Sequence, residues 1–360
     1  MRGDWGWPAV LGGVIPDYAL VKRLARHAGL EKVTRLLSGI YHGVARETVM
    51  KTLKNILIGL LLLAPVCAWL YSLDRTPVSQ ELIVCGWDEV FVLEFRSGQE
   101  PKKIWSWRAA ESSDLPDEFK SLFRTTDECK PVANGAELLI TSSGGGVALI
   151  DYREKRVLFY GRAANAHSAD ALPNGRIAVA ASRDPQGRGD RLVIFDRSRS
   201  DEPLWTEELP SGHGVVWDDK RQLLWALADA DLRIYELRDW QTTEPKLKRV
   251  STVVLPEDGG HDLYPVPGTS LFTVTTANHC WIFDRDARTF VLHPNLGQLK
   301  SVKSISIHPE TRQLVYVQAE EPNWWAERLH FLNPDKTLHT AGEHFYKARW
   351  KIPPQGSREF

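Results

Sequence analysis

The chain has 360 residues, 43% of them hydrophobic and 25% charged, the balance of a folded protein with a sizeable core. Its formal net charge of −1 offers no field to draw in nucleic acid or an anionic membrane surface, and no basic tract or zinc-finger spacing points to nucleic acid. Tryptophan is abundant, with 14 residues, which suits sheet cores and sugar-stacking surfaces alike, because indole pairs a broad apolar face with a single donor.

In chain order, the first element is an N-terminal hydrophobic run. Residues 56–73 carry no charge and follow Lys51 and Lys54, and a basic flank before an apolar core predicts a secretory signal or signal-anchor. The run sits at the lower length limit for spanning a bilayer, and Val66 and Ala68 would permit cleavage after Ala68. Met50 stands just before the basic flank, so translation is expected to begin there, with residues 1–49 a doubtful extension. If translated, residues 19–40 read as a basic amphipathic helix on the cytoplasmic side. The expected organisation is therefore an extension (1–49), a signal or anchor (50–75) and a folded body (76–360), held in the bacterial envelope, periplasmic or secreted. Membrane contact is expected only through the N-terminal segment. Cys67 lies in that segment, which leaves Cys85, Cys129 and Cys280 for the body; three cysteines allow at most one bridge and form no zinc spacing.

After Gln80 come short strands rich in Val, Ile, Leu, Phe, Tyr and Trp, cut by Gly, Pro, Asn and Asp turns, with a short helix at 116–123. Units beginning at Asp127, His167, His213, His261 and Lys303 repeat one order: strand, turn, apolar strand, polar loop, third strand. Their spacing of about 40 to 48 residues is that of a propeller blade. Outer strands are expected at 156–160, 203–209, 246–255 and 290–293. A lone first strand at 346–350 and three strands at 81–86, 89–95 and 103–107 complete a sixth blade, closing the ring and removing an exposed sheet edge. The predicted fold is all-β: a six-bladed β-propeller closed by its C-terminal strand, preceded by an N-terminal hydrophobic helix.

In a propeller the first strand of each blade lines the central channel, so its first residues meet at one mouth. Alignment on the following turns puts Asp127, His167, His213, His261, Lys303 and Lys347 there, none of them apolar. His167, His213 and His261 could hold a divalent metal, with Asp127 or Glu128 as a further ligand. Alternatively the histidines and lysines could hold a small anion such as a carboxylate or sulfate. A structural reading competes with both, because Gly212-His213 and Gly260-His261 have the Gly-His form that hydrogen-bonds within a blade of WD-type propellers. Trp87, Trp324 and Trp325 fall in loops on the same face and could stack on a sugar ring or pack between blades. Cys129 reads as a buried thiol rather than a nucleophile, and Ser142–Gly146 as a hairpin loop rather than a phosphate loop, since no Lys-Ser/Thr follows it.

The segments Asp127-Glu128-Cys129-Lys130-Pro131-Val132, Ser211-Gly212-His213-Gly214-Val215-Val216-Trp217-Asp218 and Gly260-His261-Asp262-Leu263-Tyr264-Pro265 resemble those of a bacterial family of secreted propeller proteins with no known activity. The resemblance runs over residues 81–353 and implies an export signal and a propeller. A more distant similarity, of architecture only, is to propeller polysaccharide lyases that act on oligogalacturonate with channel-facing histidines around a metal. Two functions follow as expectations. One is a monomeric module that binds a carbohydrate or small anionic ligand at the mouth. The other is a metal-assisted uronate lyase with His167 as base.

Overall fold

The computed structural model describes residues 79–351, so the extension and hydrophobic segment expected before residue 76 lie outside the described residues. The chain enters through β1 (Gln80–Gly86), β2 (Glu89–Phe95) and β3 (Lys102–Trp107), followed by a short helix α1 (Asp117–Lys120) that buries Phe119. Blade one is β4 (Thr126–Val132), β5 (Glu137–Ser142), β6 (Gly146–Asp151) and β7 (Val157–Arg162). Blade two is β8 (Ala166–Leu172), β9 (Arg176–Ala181), β10 (Arg191–Asp196) and β11 (Pro203–Glu208). Blade three is β12 (Gly214–Asp218), β13 (Leu223–Leu227), β14 (Asp231–Arg238) and β15 (Lys246–Val254). Blade four is β16 (Asp262–Pro265), β17 (Leu271–Thr275), β18 (Cys280–Asp284) and β19 (Thr289–Leu292). Blade five is β20 (Val302–Ile307), β21 (Leu314–Gln318), β22 (Arg328–Leu332) and β23 (Lys336–His339). The last strand, β24 (Lys347–Trp350), adds to β1 to give a sixth sheet in the order β24-β1-β2-β3.

The six sheets make a six-bladed propeller, as the repeat predicted. Each blade buries both faces, so its middle strands read as near-continuous apolar runs and alternate residues serve opposite neighbours. In β5, Leu138 and Ile140 pack with Ile83, Val90 and Val92 of the sixth blade, while Leu139 between them packs with Ile177 and Val179 of blade two. Each such side chain contributes about 1.5–3 kcal/mol on burial, and the pattern repeats around the ring.

Closure rests on four residue pairs, from Lys347↔Cys85 to Leu82↔Trp350. Trp350 anchors the end of β24: it is 1% exposed, lies against Phe95 and Phe331, and donates its indole N–H to the Gln313 carbonyl. Gly86 permits the return of the chain, because a Cβ there would sit 1.6 Å from the His344 carbonyl oxygen.

Candidate functional site at the channel mouth

The inner strands β4, β8, β12, β16, β20 and β24 surround the channel, and the charge they carry changes character with depth. At mid-depth lies a closed ion knot. Arg349, fully buried, chelates Glu128 with Nε to Oε1 at 2.9 Å and Nη2 to Oε2 at 3.0 Å. The same guanidinium reaches Asp262 with Nη1 to Oδ2 at 3.0 Å and Nη2 to Oδ1 at 2.6 Å. Lys347 joins them, 3.2 Å from Asp262 and 3.5 Å from Glu128, and donates to the His167 carbonyl. Burial alone would raise the Glu128 carboxyl, but Arg349 and Lys347 outweigh it and hold it well below the carboxylate range. The knot ties blade one to blades four and six across the axis.

This geometry corrects two expectations. Lys347 does not stand at the mouth; it is fully buried one step deeper, and Tyr346 takes the sixth mouth position. Glu128 is spent on Arg349 and Lys347, which removes it as a metal ligand.

Above the knot, the remaining predicted residues do come together. The His167 and His213 rings are 4.4 Å apart, His213 and His261 4.6 Å, and Tyr346 lies 6.0 Å from both His167 and His261. His167 Nδ1 is 3.0 Å from the Asn165 carbonyl and His213 Nδ1 is 2.7 Å from the Ser211 carbonyl. Carbonyls only accept, so these contacts place the proton on Nδ1 and leave Nε2 as the acceptor. In both histidines one nitrogen bonds locally to the entering loop, and the ring still faces its neighbours. Both Lys303 Nζ and the Tyr346 hydroxyl lie 3.0 Å from His261 Nε2.

Burial dominates the titration of this ring. It lowers His167 to about 4 and takes His213 and His261 well below the usual imidazole range, with His167 beside His213 and Lys303 beside His261 adding to the effect. Burial likewise lowers Lys303 to about 8, helped by Lys347 and opposed by Asp127. Asp127 is raised to about 7 by burial, against hydrogen bonds from Ser143, and its Oδ1 lies 3.7 Å from His167 Nε2. The mouth therefore holds neutral imidazoles, a lysine and a carboxyl that titrate near neutrality.

The metal set of His167, His213 and His261 is not favoured. The rings of His213 and His261 stack with only 28° between their planes, and the ammonium of Lys303 stands at the nitrogen His261 would give to a metal. Among the described residues no group of three or more His, Cys, Asp or Glu is arranged to hold an ion. Cys129 is a buried thiol against the carbonyls of Ile83 and Lys347, raised well above its usual range by burial, so it is no nucleophile.

The tryptophans form one platform. Trp87, in the β1–β2 turn, stacks on Trp324 with centroids 5.2 Å apart and 25° between planes. Trp325 supports it edge-on at 5.9 Å, and His344 lies tilted against Trp87 at 4.4 Å. Trp87 and Trp324 are 37% and 42% exposed, whereas Trp325 is half-buried beneath them. Trp324 reaches Tyr346 at 5.6 Å, so the platform runs into the imidazole ring without a break. Tyr346 is the residue that joins the two halves, and the sequence reading did not single it out.

The opposite end of the channel opens into a cavity of about 1080 Å³ lined by Lys130, Asp170, Trp217, Tyr264, Arg285 and Trp350 among others. Several of its charges are paired: Lys130 meets Asp170, and Asp218 meets Arg221 and Arg285.

The model of a family of unknown function, DUF6528, matches residues 86–357, and the chain belongs to that family. Comparison with curated proteins finds no match.

Proposed function

We propose that this propeller is a bacterial envelope protein that binds a carbohydrate at the His–Trp mouth. The basic flank and apolar run at residues 51–73 support export. The observation that carries the binding reading is the stacked, solvent-facing pair Trp87 and Trp324, continuous through Tyr346 with a ring of polar groups. Apolar indole faces match the C–H face of a pyranose, and nearby donors and acceptors match its hydroxyls. The Lys303–His261 contact favours binding, which requires only complementarity, over a metal-assisted lyase.

A glycan panel with the full chain in mild detergent tests the reading, followed by titration of the best ligand against Trp87→Ala and Trp324→Ala. Each variant should weaken binding about fivefold or more, with the about 1–3 kcal/mol of a base stacked on an aromatic ring as the guide. Failure of every glycan to bind, or wild-type affinity in both variants, would overturn it.

A further inference from the structure

We infer that the glycan is acidic, with its carboxylate or sulfate at Lys303 and a neighbouring, separate pyranose ring on Trp324 and Trp87. This deepens the carbohydrate reading and rests on it. Four cations line the channel, and three have carboxylate partners. Lys130 lies 3.5 Å from Asp170, Lys347 lies 3.2 Å from Asp262, and Arg349 is chelated by both Glu128 and Asp262. Lys303 differs: among the described residues no carboxylate stands at ion-pair distance from it, and its hydrogen-bond partner is the neutral His261 imidazole at 3.0 Å. An ammonium has three donors, so the contact with His261 leaves donors for a ligand.

Holding a partly buried cation without a counter-ion costs free energy, and such a site gains most when an anion arrives. Asp127 does not fill the role, because it is engaged by the Ser143 backbone N–H and stays protonated up to about pH 7. Lys303 is thus poised as an anion receptor: burial and the neighbouring Lys347 charge lower it to about 8, and Asp127 offsets them only in part.

The geometry also sets how charge and sugar are arranged. Tyr346 lies between the two subsites, 5.9 Å from the Lys303 ammonium and 5.6 Å from the Trp324 ring. One aromatic ring therefore separates the charge site from the stacking face, which suits a ligand of at least two linked sugars, the acidic one innermost.

Calorimetry with the full chain at pH 6.5 tests this with four probes: a uronate trisaccharide, its carboxyl-reduced neutral counterpart, a sulfated neutral trisaccharide and inorganic sulfate. At least one acidic trisaccharide should bind about tenfold or more tightly than the neutral one, and which of the two does so identifies the anion. Lys303→Met should abolish that preference while sparing neutral-sugar affinity, and Lys303→Arg should keep it. Equal binding of acidic and neutral sugars, or a preference that survives Lys303→Met, overturns the inference and leaves the carbohydrate reading intact. Inorganic sulfate binding as tightly as the sulfated sugar overturns the sugar-linked part. No binding by any trisaccharide overturns the parent reading as well. Lys303→Met should fold, since it removes an uncompensated charge, and an unchanged or higher melting temperature checks this.

Discussion

At mid-channel, Arg349 and Lys347 meet Glu128 and Asp262 with almost no exposure, and every charge has a partner. At the mouth, Asp127, His261 and Tyr346 stand one residue before Glu128, Asp262 and Lys347; there Lys303 of β20 faces a neutral imidazole and Tyr346, and Asp127 holds its proton. The knot is sealed whereas Lys303 and His261 are only partly buried, yet exposure alone does not separate the layers. Charge compensation does. A buried cation with two carboxylates is a finished structural object, whereas one left beside neutral rings stores an unmet interaction that only something outside the fold can satisfy. The division between scaffold and site in this propeller falls within a few residues of a single strand.

The largest effect expected from that contrast lies in the knot. Arg349→Met leaves Glu128 and Asp262 facing each other with Lys347 as their one remaining cation, and breaking a buried pair costs about 3–5 kcal/mol. Because Arg349 stands on the closing strand β24, the loss should show as a large fall in the denaturation midpoint. Below the new midpoint the variant should still bind glycan, since no mouth residue has changed. Near-wild-type stability would mean that the knot is incidental and closure rests on Trp350 and the apolar register alone.

Acid should act next, and through the mouth rather than the knot. His167 is held at about 4, and His213 and His261 well below their usual range, so below about pH 6.5 the unfolded chain binds three protons the folded chain refuses. Asp127 works in the opposite direction: raised to about 7, it keeps a proton in the folded chain that the unfolded chain has released down to about pH 4. Burial also lowers His293, His308 and His330, which act in the same direction, so the balance is at least two protons in favour of unfolding and stability should fall by at least about 2 kcal/mol between pH 6 and pH 5. Glu128, held low by Arg349 and Lys347, retains its contribution throughout that window. Denaturant melts at the two pH values, repeated on His213→Asn, check this, and the variant should lose about 1.4 kcal/mol of the slope per pH unit. A flat profile in the wild type would show that the imidazoles are hydrated and that the mouth is less enclosed than its geometry implies.

The two layers were not equally legible in the sequence. The blade period, the closure by 346–350 and five of the six mouth residues followed from strand and turn patterns, because hairpin turns supplied a register for each inner strand. The sixth failed for a physical reason: β24 ends the ring without a hairpin after it, so nothing fixed its register, and Lys347 was placed where Tyr346 stands. The inner strands also differ among themselves. Register shifts flank Asp127, His167 and Lys303, whereas His261 pairs its N–H regularly with the Thr275 carbonyl. The knot was invisible for another reason. Glu128, Asp262 and Arg349 come from three strands far apart in the sequence, and only closure of the ring brings them within reach of one another.

The smallest expected effect on stability is also the one that separates the layers most cleanly. Trp87 occupies a turn with a φ of 49°, a conformation that suits glycine and disfavours a bulky side chain, at a cost of order 1–3 kcal/mol. Its packing on Trp324, Trp325 and His344 returns a similar amount, since 37% of the residue remains exposed and only the rest is removed from water. Trp87→Gly should therefore relieve the backbone, lose the contacts and leave stability within about 1 kcal/mol of wild type. A residue kept for the fold would not show that balance. If Trp87 serves the ligand, the same substitution should weaken glycan binding about fivefold or more. Intact binding with unchanged stability would remove the tryptophan platform from the site and leave Lys303 and the imidazoles to hold an anion by themselves.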